Sequence, residues 1–381
     1  MTPAARAQAA IEILDEVIAS ARSDGPPADA IVTAYFKTRR YAGSKDRRAV
    51  RELVFQAVRH SAEVPATGRA ALLPIARELF DGSPHGPASA ASEEPEAKPG
   101  IVPAWLLPEL SPLAEVTSAL VERAPLDLRA KPPREPLLPA LPDAEPTPHS
   151  PWGLRLPPDT RISDHPAYLE GRVEVQDEGS QLIALACAPI AGQRLVDLCA
   201  GAGGKSLALA AAAPGAQIIA CDISLPRLRQ LGPRAERAGA TIATRLLDPP
   251  READGLADLA GSADVVLVDA PCSGSGTWRR NPEGRWRLTP ERLERLLGTQ
   301  RRVLDLAAPL VKPGGRLVYA VCSLLAREGA GQSAEFLSRH SSFEAEDTGI
   351  AAGRCDGVGR LLTPAHDGTD GFFMARFRVR P

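Results

Sequence analysis

Val196-Asp197-Leu198-Cys199-Ala200-Gly201-Ala202-Gly203-Gly204-Lys205 closes one apolar run and opens another. The first run, Gln193–Leu198, has the texture of a strand, and the second, Ser206–Ala213, that of a helix. Glycines between them let the backbone turn sharply and approach a ligand, which would then meet the exposed N–H groups of the helix start. Taken alone, a glycine turn is only a tight connection. The next strand-like run, Gln217–Cys221, gives it weight because it ends in Asp222, about twenty residues on, where a carboxylate suits hydrogen bonding to a ribose.

Outward from this turn the alternation continues. Strand-like runs at 241–247, 264–268, 315–321 and 372–379 are separated by helical stretches at 226–238, 290–306 and 331–339. Such alternation predicts an α/β, Rossmann-like doubly wound sheet over residues 173–381. The turn is not G-x-G-x-x-G and no arginine directly follows Asp222, which argues against a dinucleotide dehydrogenase. Asp-x-x-x-Gly-x-Gly-Gly with a distal Asp resembles the S-adenosylmethionine methyltransferase arrangement, with Gly201, Gly203 and Asp222 as its cofactor residues, and the resemblance implies a sheet of seven strands. Asp248, after the third strand, is either an adenine contact or an ordinary turn aspartate.

Two cysteines follow later strands, in Asp269-Ala270-Pro271-Cys272-Ser273-Gly274 and Tyr319-Ala320-Val321-Cys322-Ser323. A single Cys in an apolar run is usually inert core. Two of them, at the carboxyl ends where open parallel sheets collect their reacting groups, point to chemistry. A methyltransferase with two such thiols suggests a target that cannot attack a methyl group unaided, such as C5 of cytosine. A thiolate adding to C6 makes C5 enamine-like, and Asp269 is placed to hydrogen-bond N3.

Taken in order, Val175-Gln176-Asp177-Glu178-Gly179-Ser180-Gln181-Leu182, the glycine turn, Asp222-Ile223-Ser224 with Arg227-Leu228, Asp269 to Gly276, Tyr319 to Ser323 and Asp370-Gly371-Phe372-Phe373 resemble the Sun/RsmB-type (Nol/Nop/Sun) RNA cytosine-5 methyltransferases over roughly residues 100–381. The resemblance implies Cys322 as nucleophile, Cys272 as the thiol that assists release, Asp269 on the cytosine edge and Lys205 beside them. It also implies S-adenosylmethionine held by Cys199, Ala200, Gly201, Gly203, Lys205, Asp222, Arg227, Asp248 and Asp269, with no metal. This chain departs from the family in having Ala320-Val321 where a Ser-Thr pair is usual, Glu328-Gly329 for an acidic-Asn pair, and Arg129-Ala130-Lys131 for Arg-Val-Asn.

Residues 1–80 read as a helical domain, 81–100 as a linker rich in Pro, Ser, Ala and Glu, and 101–172 as a small α/β RNA-binding subdomain. Tyr41-Ala42-Gly43-Ser44-Lys45-Asp46-Arg47-Arg48 is similar to the NusB-like domain found at the front of one branch of the family, which implies small-subunit (16S) ribosomal RNA as substrate. Transfer RNA, or a catalytically weak RNA-binding or ribosome-assembly role, are the alternatives. Across 381 residues the net charge is only −2. Local charge is more telling: eight basic residues against two acidic ones between Lys37 and Arg59, and eight arginines against three glutamates between Arg279 and Arg302. Such runs are usually solvated faces, but two of them suit a polyanion. The six cysteines lack CxxC spacing. No signal-peptide core and no apolar stretch of ~18–20 residues is present. The expectation is a soluble, monomeric, cytoplasmic protein with no membrane partner.

Overall fold

Four helices follow from the amino-terminal pattern in the computed structural model, which describes residues 1–23 and 25–380. They are α1 (Pro3–Arg22), α2 (Ala28–Lys37), α3 (Ser44–His60) and α4 (Gly68–Ala76). Threonine side chains cap two of the starts, Thr2 accepting from Ala5 N–H and Thr67 from Ala70 N–H, both at 3.1 Å. In α1, Ala7, Ala10, Leu14, Val17 and Ala21 form one stripe, buried with Ile31, Val54, Val58 and Leu72.

These helices belong to a unit made of Met1–Glu109, Val116–Glu122 and Thr277–Pro290. The stretch 81–100 carries no helix or strand, yet it is tied to this unit: Glu94 accepts from Arg69, and Ala97 N–H donates to the Ala70 carbonyl at 2.9 Å. Trp286 enters the same core and donates its indole N–H to the Ser61 carbonyl at 2.9 Å. Arg285 donates to the last carbonyls of α3, those of Val58 and Arg59, at 2.6 and 2.8 Å. Glu283 caps α2 by accepting from Ala28 N–H at 3.1 Å.

The second unit comprises Leu110–Glu115, Arg123–Gly276 and Glu291–Pro381. Its smaller sheet is antiparallel, ordered β2-β3-β1-β4, from β1 (Leu126–Ala130), β2 (Glu145–Pro146), β3 (Gly153–Leu156) and β4 (Val173–Val175). Pro146 sits in an edge strand, where a missing N–H does no harm. Leu128, Leu154, Leu156 and Val173 form its core.

The larger sheet contains β5 (Arg194–Asp197), β6 (Gln217–Asp222), β7 (Ile242–Leu246), β8 (Ala263–Asp269), β9 (Val311–Val321), β10 (Phe343–Glu346), β11 (Arg354–Asp356), β12 (Gly359–Leu362) and β13 (Phe372–Val379). The order is β11-β12-β13-β9-β8-β5-β6-β7, with β10 beside β13. Strands β5 to β9 are parallel, and β13 runs antiparallel to β9. Nine strands replace the seven expected. The difference is the β11–β12 hairpin, which shares the outer edge of β13 with β10: β12 pairs Phe372–Met374 and β10 pairs Arg376–Val379. Leu182, Ile183 and Ala186 of helix Glu178–Ala186 and Ala208 and Leu209 of helix Gly204–Ala212 pack with Leu195, Val265, Leu267 and Val318 of the sheet.

One helix departs from expectation. The 226–238 stretch is broken into Leu225–Leu228 and Leu231–Ala238. Pro233 has no N–H for the Arg229 carbonyl, so a continuous helix cannot form through that turn. No helix among the described residues is long and apolar enough to cross a membrane.

Candidate active site

Parallel strands bring their carboxyl ends to one edge of the sheet. Register pairs Asp197 with Ala220 and Leu267, and Asp269 with Ala320, so the residues following β5, β6, β8 and β9 share that edge. All the catalytic and cofactor candidates read from the sequence follow these strands, or β7 beside them.

The glycine turn after β5 has the backbone it was expected to need. Gly201 and Gly203 have φ of 56° and 79°, a region that costs other residues energy. Asp222, nearly buried at the end of β6, accepts from Gly201 N–H at 2.7 Å and from Ser224 N–H at 2.8 Å. Both of its oxygens retain lone pairs for further donors. Arg227 lies 3.9 Å from Asp222, and its guanidinium occupies the space a Cβ on Gly201 would need. The Ala200 N–H is held by the Cys221 carbonyl at 2.9 Å, which ties the turn to β6. Asp248 is exposed just past β7 and ion-pairs with Arg251, and the residue before it, Leu247, donates its N–H to the Asp222 carbonyl at 3.0 Å.

Burial and neighbouring acids shape the titration here. Asp197 is fully buried; Oδ2 accepts from Ser206 Oγ at 2.6 Å and Oδ1 has no partner. Burial, with Asp269 adding to it, raises its carboxyl to about 7 against the Ser206 hydrogen bond. The same burial, with Asp197, Asp269 and Asp222 nearby, pushes the Cys199 thiol well up. Asp222 and Asp269, unlike the sealed Asp197, form an acceptor set suited to a cationic ligand that also carries ribose hydroxyls.

Lys205, on the first turn of helix Gly204–Ala212, donates to Asp269 Oδ2 at 2.6 Å. Burial opposes the charge on Lys205, but Asp269 outweighs it and the ammonium is held above its usual range. Its Nζ also lies 5.6 Å from the centre of the Phe372 ring. The two cysteine sulfurs stand 3.4 Å apart. Two thiolates that close repel each other, so the pair keeps one proton firmly. The hydrogen bond with Cys322, then burial, raises the Cys272 thiol well above the ordinary range.

Several matched motifs prove to be framework. Asp177 caps helix Glu178–Ala186 through Gly179 N–H at 2.8 Å and accepts from Asp370 N–H. Glu178 accepts from the N–H groups of His149 and Ser150 at 2.6 and 2.7 Å. Gly371 donates to the Gly276 carbonyl at 2.8 Å, joining the Asp370–Phe373 motif to the loop after Cys272. Ala320 and Val321 are buried in β9, where they pair with Met374 and Phe373. The arginine-rich 279–302 run is largely occupied: Arg285 and Arg287 hold main-chain carbonyls, Arg301 pairs with Glu335 and Arg302 with Glu252. Glu328 is the residue whose place the sequence did not reveal. It is buried and bonded to the serine after each cysteine.

Residues 184–378 match the family model described as 16S rRNA methyltransferase RsmB/F. The chain belongs to this family. It is 34% identical over 241 residues to the ribosomal RNA small subunit methyltransferase B of Photorhabdus laumondii, covering 62% of this chain and 54% of that one. The chain thus spans about half the length of the curated relatives it matches. Among solved structures, PH0851 superposes with a TM-score of 0.76 at 21% identity over 99% of both chains, a likeness of fold. A methyltransferase homolog protein from Pyrococcus horikoshii superposes with a TM-score of 0.58 at 25% identity, over 68% of this chain and 88% of that one.

Proposed function

We propose that this RsmB/F family member methylates C5 of a cytosine in RNA, with small-subunit ribosomal RNA as substrate and S-adenosylmethionine as donor. The observation that carries the reading is the pair of sulfurs 3.4 Å apart beside the Lys205–Asp269 ion pair, at the strand ends that also carry the glycine turn. A hydride-transfer or exocyclic-amine site has no use for two thiols in contact. The names of the small-subunit methyltransferase B relatives favour ribosomal over transfer RNA.

The cofactor fits the residues present. Gly201 and Gly203 give the turn its positive φ with Arg227 and Leu231 packed beside them, Asp222 offers acceptors for the ribose hydroxyls, and Asp222 and Asp269 suit a positive charge. Bound S-adenosylmethionine supplies the electrophilic methyl group that the activated C5 accepts.

The chain's own groups do the rest. The Cys322 thiolate adds to C6 and makes C5 nucleophilic. The Lys205–Asp269 pair faces the N3 edge, and a proton passed from the ammonium through Asp269 to N3 neutralises the charge that develops there on addition. Cys272, whose thiol is raised well above its usual value, stays protonated during addition. It acts later: its own proton passes to solvent, and the Cys272 thiolate then takes the C5 proton while the C6–S electron pair returns to Cys322 and frees it as a thiolate. In the helical unit, Tyr41 is 73% exposed among the exposed Lys37, Arg40, Lys45 and Arg48, a stacking face with positive charge around it. That surface supports RNA binding.

The test is transfer of labelled methyl from S-adenosylmethionine to separate pools of small-subunit, large-subunit and transfer RNA, followed by nucleoside analysis. Label in 5-methylcytidine from small-subunit RNA alone is expected. Label confined to transfer RNA would move the substrate. Label in any other nucleoside would end the C5 reading.

A further inference from the structure

Each cysteine is followed by a serine, and both serines end on one carboxylate. Ser273 Oγ and Ser323 Oγ each donate to Glu328 Oε2 at 2.5 Å. Oε1 accepts from Ser273 N–H at 2.9 Å and from the Gln300 amide at 2.8 Å. The same Gln300 amide donates to the carbonyl of Pro271, the residue before Cys272, at 3.0 Å. Glu328 lies fully buried in the π-turn Arg327–Gly331, and its carbonyl accepts from the hydroxyl of Tyr319 in β9 at 2.6 Å.

These four donors are all uncharged. A buried carboxylate without a cation is costly unless its oxygens are filled, and here three donors from two loops 50 residues apart in sequence, with Gln300 from the helix Pro290–Ala307, fill them. A merely tolerated glutamate would not need both serines. A clamp would, because lengthening or losing either bond frees one sulfur to move relative to the other.

We propose that Glu328 is the positioning residue of the thiol pair, holding Ser273 and Ser323 to a single oxygen and so fixing the 3.4 Å separation of the Cys272 and Cys322 sulfurs. The catalytic meaning of this clamp rests on the two-thiol reading above, whereas the clamp itself can be tested without RNA. Glu328 touches no substrate in this scheme; it acts through the two cysteine loops.

The experiment is disulfide formation between Cys272 and Cys322 in the reduced full chain. The oxidant is diamide, whose azo group takes up the two thiol protons and two electrons as the S–S bond forms. The product is counted by peptide mass spectrometry, and the rate is divided by single-thiol alkylation rates. Glu328→Ala should slow pairing roughly tenfold or more, because small displacements of reacting atoms cost large factors. Glu328→Gln, which keeps one acceptor oxygen, should fall between. If Glu328 acted only through its charge, removing it would ease thiol ionisation and speed the reaction, so an unchanged or faster rate overturns the clamp.

Should Glu328→Ala fail to fold, Ser273→Ala and Ser323→Ala each delete one hydroxyl and carry the test. Each should slow pairing, and wild-type rates in both would overturn the proposal. In methyl transfer the Glu328 variants should lose kcat while KM for S-adenosylmethionine holds. Slowed pairing with no methyl transfer even by the wild-type chain would end the functional reading and leave the clamp standing. Normal transfer with unchanged pairing would do the reverse.

Discussion

At the scale of single residues, the site sets acids against one another. Asp197 carries its proton far more tightly folded than unfolded, at about 7 against an ordinary value near 4. The sign follows from proton uptake. Between those values the folded chain binds the extra proton, so this group's contribution is full below the ordinary value and lost as pH rises through about 7. Asp197→Asn keeps an acceptor for Ser206 and removes the titration. Unfolding free energies of both proteins from pH 4 to 8 should show the wild type losing more than ~1 kcal/mol relative to the variant as pH rises. A difference that stays flat would mean Asp197 titrates normally. Asp222 offers a second check: Asp222→Ala should weaken S-adenosylmethionine binding, measured by calorimetry, by roughly 1.5–3 kcal/mol for a charged acceptor. Undiminished affinity would remove it from the cofactor site.

At the scale of elements, close approach and capping matter most. A Cβ on Gly276 would fall 2.0 Å from the Gly371 carbonyl oxygen, main chain against main chain. Gly276→Ala should therefore cost about 1–3 kcal/mol in denaturant unfolding, as overpacking does; a neutral substitution would show that the two loops part freely. Trp286 is the large apolar group that the 277–290 segment lends to the helical core. Trp286→Ala should cost roughly 3–5 kcal/mol there, seen as early loss of helical signal on heating. Retained melting would deny the segment its anchoring part.

The strands were legible where burial is two-sided. Val265–Val268 and Leu317–Val321 are unbroken apolar runs, and such runs announce central parallel strands. Strand β10 reads Phe-Glu-Ala-Glu, and the β11–β12 hairpin is short and split by Gly357 and Gly359, so none of these three carries a pattern that stands out from loop. Of the candidate site, Asp269, Cys272 and Cys322 could be named because each sits beside a strand end in a marked motif, and Lys205 through the family resemblance alone. The Glu328 network could not, since its members are scattered from Ser273 to Glu328 and meet only after folding. Nor could the use of Arg285 and Arg287: charge counts do not distinguish an arginine facing solvent from one capping a carbonyl.

At the scale of the whole molecule, the two proposed tasks rest on residues of different units: the thiol pair and glycine turn lie in the second, and the first carries Tyr41 and its basic surround. If that surface meets phosphates, RNA affinity should fall with salt, and Lys45→Ala with Arg48→Ala should flatten the log–log slope by up to about 2, near 1 per lost contact. Filter binding across a salt series reads this directly. An unaltered slope would make the basic run a solvated face only.

The central claim is covalent chemistry at Cys322 with release assisted by Cys272, and trapping tests it most directly. Cys272→Ala, incubated with small-subunit ribosomal RNA and S-adenosylmethionine, should accumulate a protein–RNA species on denaturing gels. Nuclease and protease digestion should then place a methylated cytosine on the peptide containing Cys322, and Cys322→Ala should form neither adduct nor product. Free turnover by Cys272→Ala without an adduct, or any methyl transfer by Cys322→Ala, would contradict the account.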